Sequence, residues 1–466
     1  MIRLLPFQFK EHSDGRILLV NSSGDYYFVS KDTFEAIISH KINEYNPDYY
    51  NLKSRMFFDD GTGNSSIQMI SAKYRSRKSY LRDFTSFHMM VITLRCNQKC
   101  EYCQVSCAEN DAYKYDMSIE TAYKIVDMIF ESPSDNVKIE FQGGEPTLHF
   151  GLIEKTVLYA KTKNNQFNKT ISFVICTNLT AITKEQLIFC RDNNIYISTS
   201  LDGPNNVHDT NIKNLSLARN ILGKQSVDAL MTTTSTSLRN LHRVVDEYIE
   251  LGFAGIFIRS LNPYGFAAEN SAKLGYSMDE FVDSYIDALK YIISINKNKY
   301  FPEYFATLLF SRILTPFSTG FVDLQSPAGT GISGVIYDFD GSVYPSDEAR
   351  MLARMGDKYF NLGNVYFDSY KSIFGGGKLK NIISSSCVET TMDCAYCVYQ
   401  SYCGTDPIRN YLESGMVNRK MGNTNFCIKH KRIFDYLFSF LSNMSEFEEN
   451  IIWNWITRSN TVNGNA

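Results

Sequence analysis

The 466-residue chain carries 47 Lys and Arg against 50 Asp and Glu, a net charge of −3, with 44% hydrophobic and 21% charged residues. This is the make-up of an ordinary globular protein with room for two or three domains, and it creates no overall field to attract nucleic acid or an anionic membrane. No apolar run reaches the roughly 18 residues of a membrane helix, and the start lacks a signal-peptide core, so a cytoplasmic protein is expected.

Residues 1–82 read as a small N-terminal β/α cap domain. Two apolar runs, Arg16-Ile-Leu-Leu-Val20 and Asp25-Tyr-Tyr-Phe-Val29, flank Asn21-Ser-Ser-Gly24 and predict a hairpin. A short helix is predicted over 33–40, a loop over 59–66, and a solvated linker at the basic run Lys73-Tyr-Arg-Ser-Arg-Lys78. From 83 to 300, strands are predicted over 88–95, 137–142, 171–177, 195–201, 227–232 and 255–260. Helical patterns fall between them, including 118–131, which Ser118 caps, 151–162, 183–193 and 241–251. Six β-α repeats predict a parallel sheet with helices outside, as a partial (β/α)6 TIM-like barrel or a doubly wound sheet. In either, the C-terminal strand ends form the functional rim. Residues 301–335 read as a bridge and Gly334 to Tyr344 as a hairpin turning at Asp340-Gly341. The stretch 434–456 reads as an aromatic helix, so 437–466 becomes helix and polar tail.

Clustered thiols in a reduced chain point to metal. Of eleven cysteines, only Cys176 and Cys190 stand apart, as small hydrophobes. Cys96, Cys100 and Cys103 follow the first predicted strand in Arg95-Cys-Asn-Gln-Lys-Cys-Glu-Tyr-Cys103. Three thiolates on one loop can hold three irons of a four-iron cube, which leaves one iron open to a substrate or cosubstrate. Cys107 keeps a four-ligand zinc site as the alternative. Other strand ends carry Gly143-Gly-Glu-Pro146, Thr177-Asn178, Ser200-Leu-Asp-Gly203 and Arg259. Glycines permit close backbone approach, and a carboxylate at Glu145 suits an ammonium. A tight turn, a turn-forming Asp-Gly and a surface ion pair are the plain alternatives for these positions.

The CxxxCxxC triad, with Tyr102 before its last Cys, resembles that of the radical S-adenosylmethionine enzymes, over about residues 88–300. The resemblance implies that Cys96, Cys100 and Cys103 hold a [4Fe–4S] cluster whose open iron binds S-adenosylmethionine. In that family one electron from the cluster cleaves the sulfonium, and the resulting 5′-deoxyadenosyl radical abstracts a hydrogen from substrate. It further implies cosubstrate contacts at Tyr102, Gly143, Gly144, Glu145, Pro146, Thr177, Asn178, Ser200, Asp202 and Arg259.

Cys394-Ala-Tyr-Cys397, Cys403 and Cys427 resemble the SPASM-type extension of peptide-modifying radical enzymes, which normally carries seven cysteines for two auxiliary clusters. Here Ser346 and Pro407 stand where that pattern has Cys, and no Cys lies near Ser326. The retained set implies a truncated SPASM iron–sulfur domain over 336–436 with one auxiliary [4Fe–4S] cluster, fully ligated and suited to electron transfer or structure. Cys387 is unassigned. The segments 137–146, 198–204, 255–265 and 402–407 are together similar to the His-Xaa-Ser system radical maturases. That similarity implies a ribosomally made precursor peptide, an external reductant such as flavodoxin or ferredoxin, and a companion radical SAM protein or peptide chaperone. Residues 1–82 either recognise that peptide by strand addition or only cap the barrel. Tyr344 and Asp347 are candidates to face the pocket from the hairpin. The competing functions are a sulfatase-maturase-like side-chain oxidase and a non-catalytic iron–sulfur electron-transfer module.

Overall fold

The computed structural model describes residues 2–59, 61, 65–203 and 212–463, and the side chains up to 457. The loop predicted at 59–66, Pro204 in the 198–204 segment and the end of the predicted polar tail fall partly outside those residues. Among the described residues no helix is long and apolar enough to cross a membrane.

An eight-stranded, mostly parallel sheet organises the chain. From one edge its strands are Val227–Leu230, Ile195–Ser200, Thr170–Thr177, Asn136–Gly143, Phe87–Thr93, Gly334–Tyr337, Ser342–Tyr344 and Gly363–Asn364. The first five are predicted strands, each parallel to its neighbour in the chain. Side chains alternate between faces with the strand period of two. On Phe87–Thr93, Met90 and Ile92 join an outer core with Ile125 and Ile153, while Met89 and Val91 join an inner one with Ile336 and Leu352. The helices Ile119–Phe130 and Phe150–Phe167 supply that outer core, the former capped by Ser118, whose hydroxyl accepts from the Thr121 N–H.

The sixth predicted strand, 255–260, does not form as a strand. It makes only isolated bridges, Ile256 with Glu303 and Ser260 with Thr233. Its backbone is satisfied otherwise: Ile256 N donates to Pro302 O at 3.0 Å, and Ile258 N to the fully buried Glu303 carboxylate at 3.0 Å. Tyr285 Oη donates to the same carboxylate at 2.6 Å. The opposite side of the first strand is covered by the predicted hairpin, whose Gly334–Tyr337 arm pairs with it in parallel. The hairpin therefore belongs to the central sheet, and it shields an edge that would otherwise be open.

The N-terminal hairpin forms and gains a third strand, Phe7–Glu11, beside Ile17–Asn21 and Tyr26–Val29. The middle strand is buried on both faces. Ile17 and Leu19 meet Ile37 and Phe57, and Leu18 and Val20 join a large core shared with Phe434 and Leu437. Helix Lys31–Ile38 stands near the predicted 33–40. The basic run is not a solvated linker; it ends the helix Ser65–Arg77. Arg77 donates to the carbonyls of Ser23 and Arg312, Lys73 pairs with Asp25 at 2.5 Å and Lys78 with Glu389 at 2.6 Å. Turn carbonyls need donors, and these long cations supply them. The predicted bridge contains the buried helix Tyr304–Leu314. The C-terminal segment forms two helices, Asn425–Asn443 and Glu446–Asn463, so the predicted tail is largely helical.

Candidate active site

The C-terminal ends of the parallel strands open into a cavity of about 280 Å³. Cys96, Cys100, Tyr102 and Cys103 line it from the loop, and Gly143, Gly144, Thr177, Asn178 and Ser200 from the strand ends. The structure thus brings together nine of the residues singled out in sequence.

The cysteine loop is held at both ends. Cys96 N donates to Ala108 O at 3.1 Å and Ala108 N to Leu94 O at 2.7 Å. Behind it the buried Arg95 donates to Asp116 through Nε at 2.7 Å and Nη2 at 2.9 Å, and to Asn110 O through Nη1 at 2.9 Å. Ala267 N donates to Cys103 O at 3.3 Å, and Lys273 pairs with Glu101. Cys107 lies within hydrogen-bonding reach of Cys96 and Cys103; that contact is the first cause lowering both thiols, and it holds Cys107 itself protonated. Burial raises Cys100 to about 11.

Four predicted contacts take different places. Glu145 is fully buried, and its carboxylate accepts from Thr147 N at 3.0 Å, Thr147 Oγ1, Thr177 Oγ1 at 2.7 Å and Asn178 N at 2.7 Å. It ties two strand ends together and is not directed at an ammonium. Pro146 is buried at the start of the short helix that Glu145 caps. Asp202 is buried beneath the rim, accepting from Thr232 N at 2.6 Å and lying in hydrogen-bond reach of Tyr102. Arg259 is exposed and stacks over Phe257, because its segment does not continue the sheet.

The close approach of the glycine pair is to the neighbouring strand. A Cβ on Gly143 would lie 1.9 Å from Thr93 O, and one on Gly144 would lie 2.4 Å from Arg95 O. Asn178 Nδ2 donates to Asn97 Oδ1 at 3.0 Å, which fastens the cysteine loop to the third strand. Sequence reasoning missed Gln142, Cys176 and Ser198, which also line the cavity. Ser198 and Ser200 share a face by strand alternation, a signal that was available. Met351, on the Asp347–Arg354 helix, lines the mouth with no local sequence signal. Tyr344 is buried in the inner core, and Asp347 accepts from Arg350 Nη2 at 2.8 Å.

Residues 90–258 match the Radical SAM superfamily. That match is a similarity over these residues alone. The chain is 27% identical over 372 residues to the cysteine-type anaerobic sulfatase-maturating enzyme of Clostridium perfringens, covering 75% of this chain and 95% of that one. Its fold is similar to that of native anSMEcpe with bound AdoMet, at a TM-score of 0.63 and 20% identity over 78% of this chain and 100% of that one. It is also similar to Streptococcus suis SuiB bound to precursor peptide SuiA, at a TM-score of 0.53 and 14% identity over 91% of this chain and 100% of that one. At such identities these structures speak for the α/β fold alone.

Apart from that cavity, Cys394, Cys397, Cys403 and Cys427 line one small apolar cavity with Phe426 and Phe434. Burial raises the Cys403 thiol first, and the charges of Cys397, Cys394 and Cys427 raise it next, as mutual neighbours must. Cys387 stands apart, its Sγ 3.6 Å from Ile383 O. All eleven cysteines are free thiols. Among the described residues no three His, Cys, Asp or Glu side chains converge closely enough for a single metal ion. The donor sets, the Cys96, Cys100 and Cys103 thiols on one cavity, with Cys107 and Cys176 also lining it, and four thiols on the other, have the all-sulfur chemistry that iron–sulfur clusters use.

Proposed function

We propose that the chain is a radical S-adenosylmethionine enzyme that modifies a ribosomally made peptide of His-Xaa-Ser type. The observation that carries this reading is the meeting of the three loop thiols, the Gly143-Gly144 backbone and the polar strand ends on one cavity. When bound, the cluster and cosubstrate would supply one-electron cleavage of the sulfonium and a radical able to abstract hydrogen.

The chain's own residues do the rest. Cys96, Cys100 and Cys103 would hold three irons. The Gly143-Gly144 backbone, Asn178 and Ser200 offer polar groups to the cosubstrate, and Thr177, tied to Glu145, fixes the floor between them. Asp202 fixes Tyr102, which keeps the loop aligned with the strand ends. Met351 narrows the mouth and limits water. Cys394, Cys397, Cys403 and Cys427 would hold an auxiliary cluster in a SPASM-like domain, as a relay for electrons arriving from a flavodoxin- or ferredoxin-type reductant.

In this reading the parallel strands act as a partial barrel and residues 1–82 as a peptide-recognition cap. The outer strand Phe7–Glu11 pairs on one side with Ile17–Asn21, and a precursor peptide could add to its other edge. SuiB, a structural neighbour, is seen bound to its precursor peptide, which supports a peptide substrate. The similarity over 95% of the sulfatase-maturating relative favours one second reading, side-chain oxidation of a sulfatase-type protein.

Co-expression separates the two. A His-Xaa-Ser precursor should change mass with the wild-type chain and stay unchanged with Cys96→Ala. A mass change confined to a sulfatase-derived peptide would replace the first reading with the second.

A further inference from the structure

Cys403 lines two cavities. One is the small apolar cavity it shares with Cys394, Cys397 and Cys427. The other, of about 180 Å³, brings Arg77, Lys78, Arg312 and Glu389 beside the same thiol. Cys403 thus shares one space with the other thiols of its set and a second with cations.

Two of those cations are fixed to the backbone just ahead of Cys403. Arg312, in the last turn of the helix Tyr304–Leu314, is 6% exposed. Its Nε donates at 2.6 Å to Tyr402 O, the carbonyl of the peptide that leads into Cys403, and its Nη2 to Ser401 O at 3.5 Å. Arg77 Nη1 donates to Arg312 O at 2.7 Å, and its guanidinium lies 5.5 Å from the centre of the Tyr402 ring. Tyr402 is itself fully buried, and its hydroxyl donates to Gly24 O at 2.9 Å. The residue before the thiol is therefore held by one guanidinium at its carbonyl and a second over its ring.

Neither guanidinium has a carboxylate partner among the described residues. The acids nearby are taken: Asp25 pairs with Lys73 at 2.5 Å, and Glu389 with Lys78 at 2.6 Å. A buried cation is unfavourable unless an opposite charge lies close to it. Burial first, and then Arg77, lower the Arg312 guanidinium to about 10, which leaves it charged near pH 8; the Cys403 thiolate is the first group to oppose that fall. A four-iron cube with four thiolates is an anion, and one added electron makes it more negative. A cation fixed beside one ligand stabilises the reduced form more than the oxidised form.

We propose that Arg312, supported by Arg77, raises the reduction potential of the auxiliary cluster on Cys394, Cys397, Cys403 and Cys427. One electron then passes more readily to that cluster from the flavodoxin- or ferredoxin-type reductant, which is oxidised by one electron. This rests on the auxiliary-cluster reading of those four thiols.

The test uses the Cys96→Ala chain, anaerobically reconstituted, in which the auxiliary iron alone is expected. It is titrated with dithionite in the presence of redox mediators, and the reduced cluster is followed by electron paramagnetic resonance. Adding Arg312→Gln lowers the midpoint potential by about 59 mV or more, which is about tenfold in a one-electron equilibrium. Arg312→Lys keeps the charge and restores most of the potential. Ser22→Asp, at an exposed position on the same cavity, lowers the potential without touching the core, and it decides the question if Arg312→Gln loses its iron. Arg191→Gln, from an exposed pair with Asp192, leaves the potential unchanged. A potential unmoved by both Arg312→Gln and Ser22→Asp, or lowered as far by Arg312→Lys as by Arg312→Gln, overturns the proposal while the iron shows that the cluster reading stands. Cys96→Ala protein that holds no iron defeats the auxiliary-cluster reading, and the proposal with it.

Discussion

The Glu145 carboxylate accepts from two N–H groups and two hydroxyls, all within the rim. Burial raises its pKa, while the hydrogen bonds from Thr147, Asn178 and Thr177 oppose that rise. Glu145→Gln would turn an –NH2 toward these donors and leave some unsatisfied, at a cost of about 1–3 kcal/mol. Thermal melts of the variant should fall accordingly; an unchanged melt would show that the clasp carries little. Glu348 makes a pH prediction. Its carboxyl is raised from 4.5 to about 8, so between those values the folded chain keeps a proton that the unfolded chain has released. The stability it contributes is full below about 4.5 and is lost as pH rises through about 8. Glu348→Gln removes that loss, so variant and parent should melt together near pH 5 and the variant should melt higher near pH 8.5. The triad and Gly143-Gly144 were legible in sequence because they are contiguous. The partners of Glu145 at Thr177 and Asn178 were not, because another strand delivers them.

Five strands of the sheet were readable because each apolar run is short and bounded by polar punctuation. The segment 255–260 has the same apolar look, yet the Glu303 carboxylate takes its Ile258 N–H in place of a strand partner. A single buried acid delivered from a later helix start has no signature in the strand's own residues. The two glycines act at the level of the sheet. With a Cβ at Gly144 only 2.4 Å from Arg95 O and 2.5 Å from Leu94 O, backbone on both strands must move. Gly144→Ala should therefore remove iron from the triad while the iron at Cys394, Cys397, Cys403 and Cys427 stays. Loss of iron from both sites, or from neither, would contradict that separation.

At the scale of the molecule, one core joins the N-terminal strands, the later parallel strands and the C-terminal helices, through Leu18, Ile197 and Phe434. The basic run belongs to this assembly. Arg77 satisfies carbonyls of Ser23 and Arg312, which come from segments far apart in the chain. Arg77→Ala strands these buried acceptors, and a loss of about 1–3 kcal/mol is expected in urea unfolding. A value near zero would mean that water replaces the guanidinium. The run looked like a solvated linker because charge alone does not reveal which carbonyls a long side chain will reach.

Anaerobic reconstitution of the wild-type chain, with dithionite and S-adenosylmethionine and with 5′-deoxyadenosine measured by chromatography, tests the radical SAM reading most directly. The wild type should form 5′-deoxyadenosine, and Cys96→Ala should form none while retaining about four irons, half of the roughly eight expected for two four-iron clusters. Wild-type protein that holds reduced clusters and leaves the cosubstrate uncleaved would contradict it.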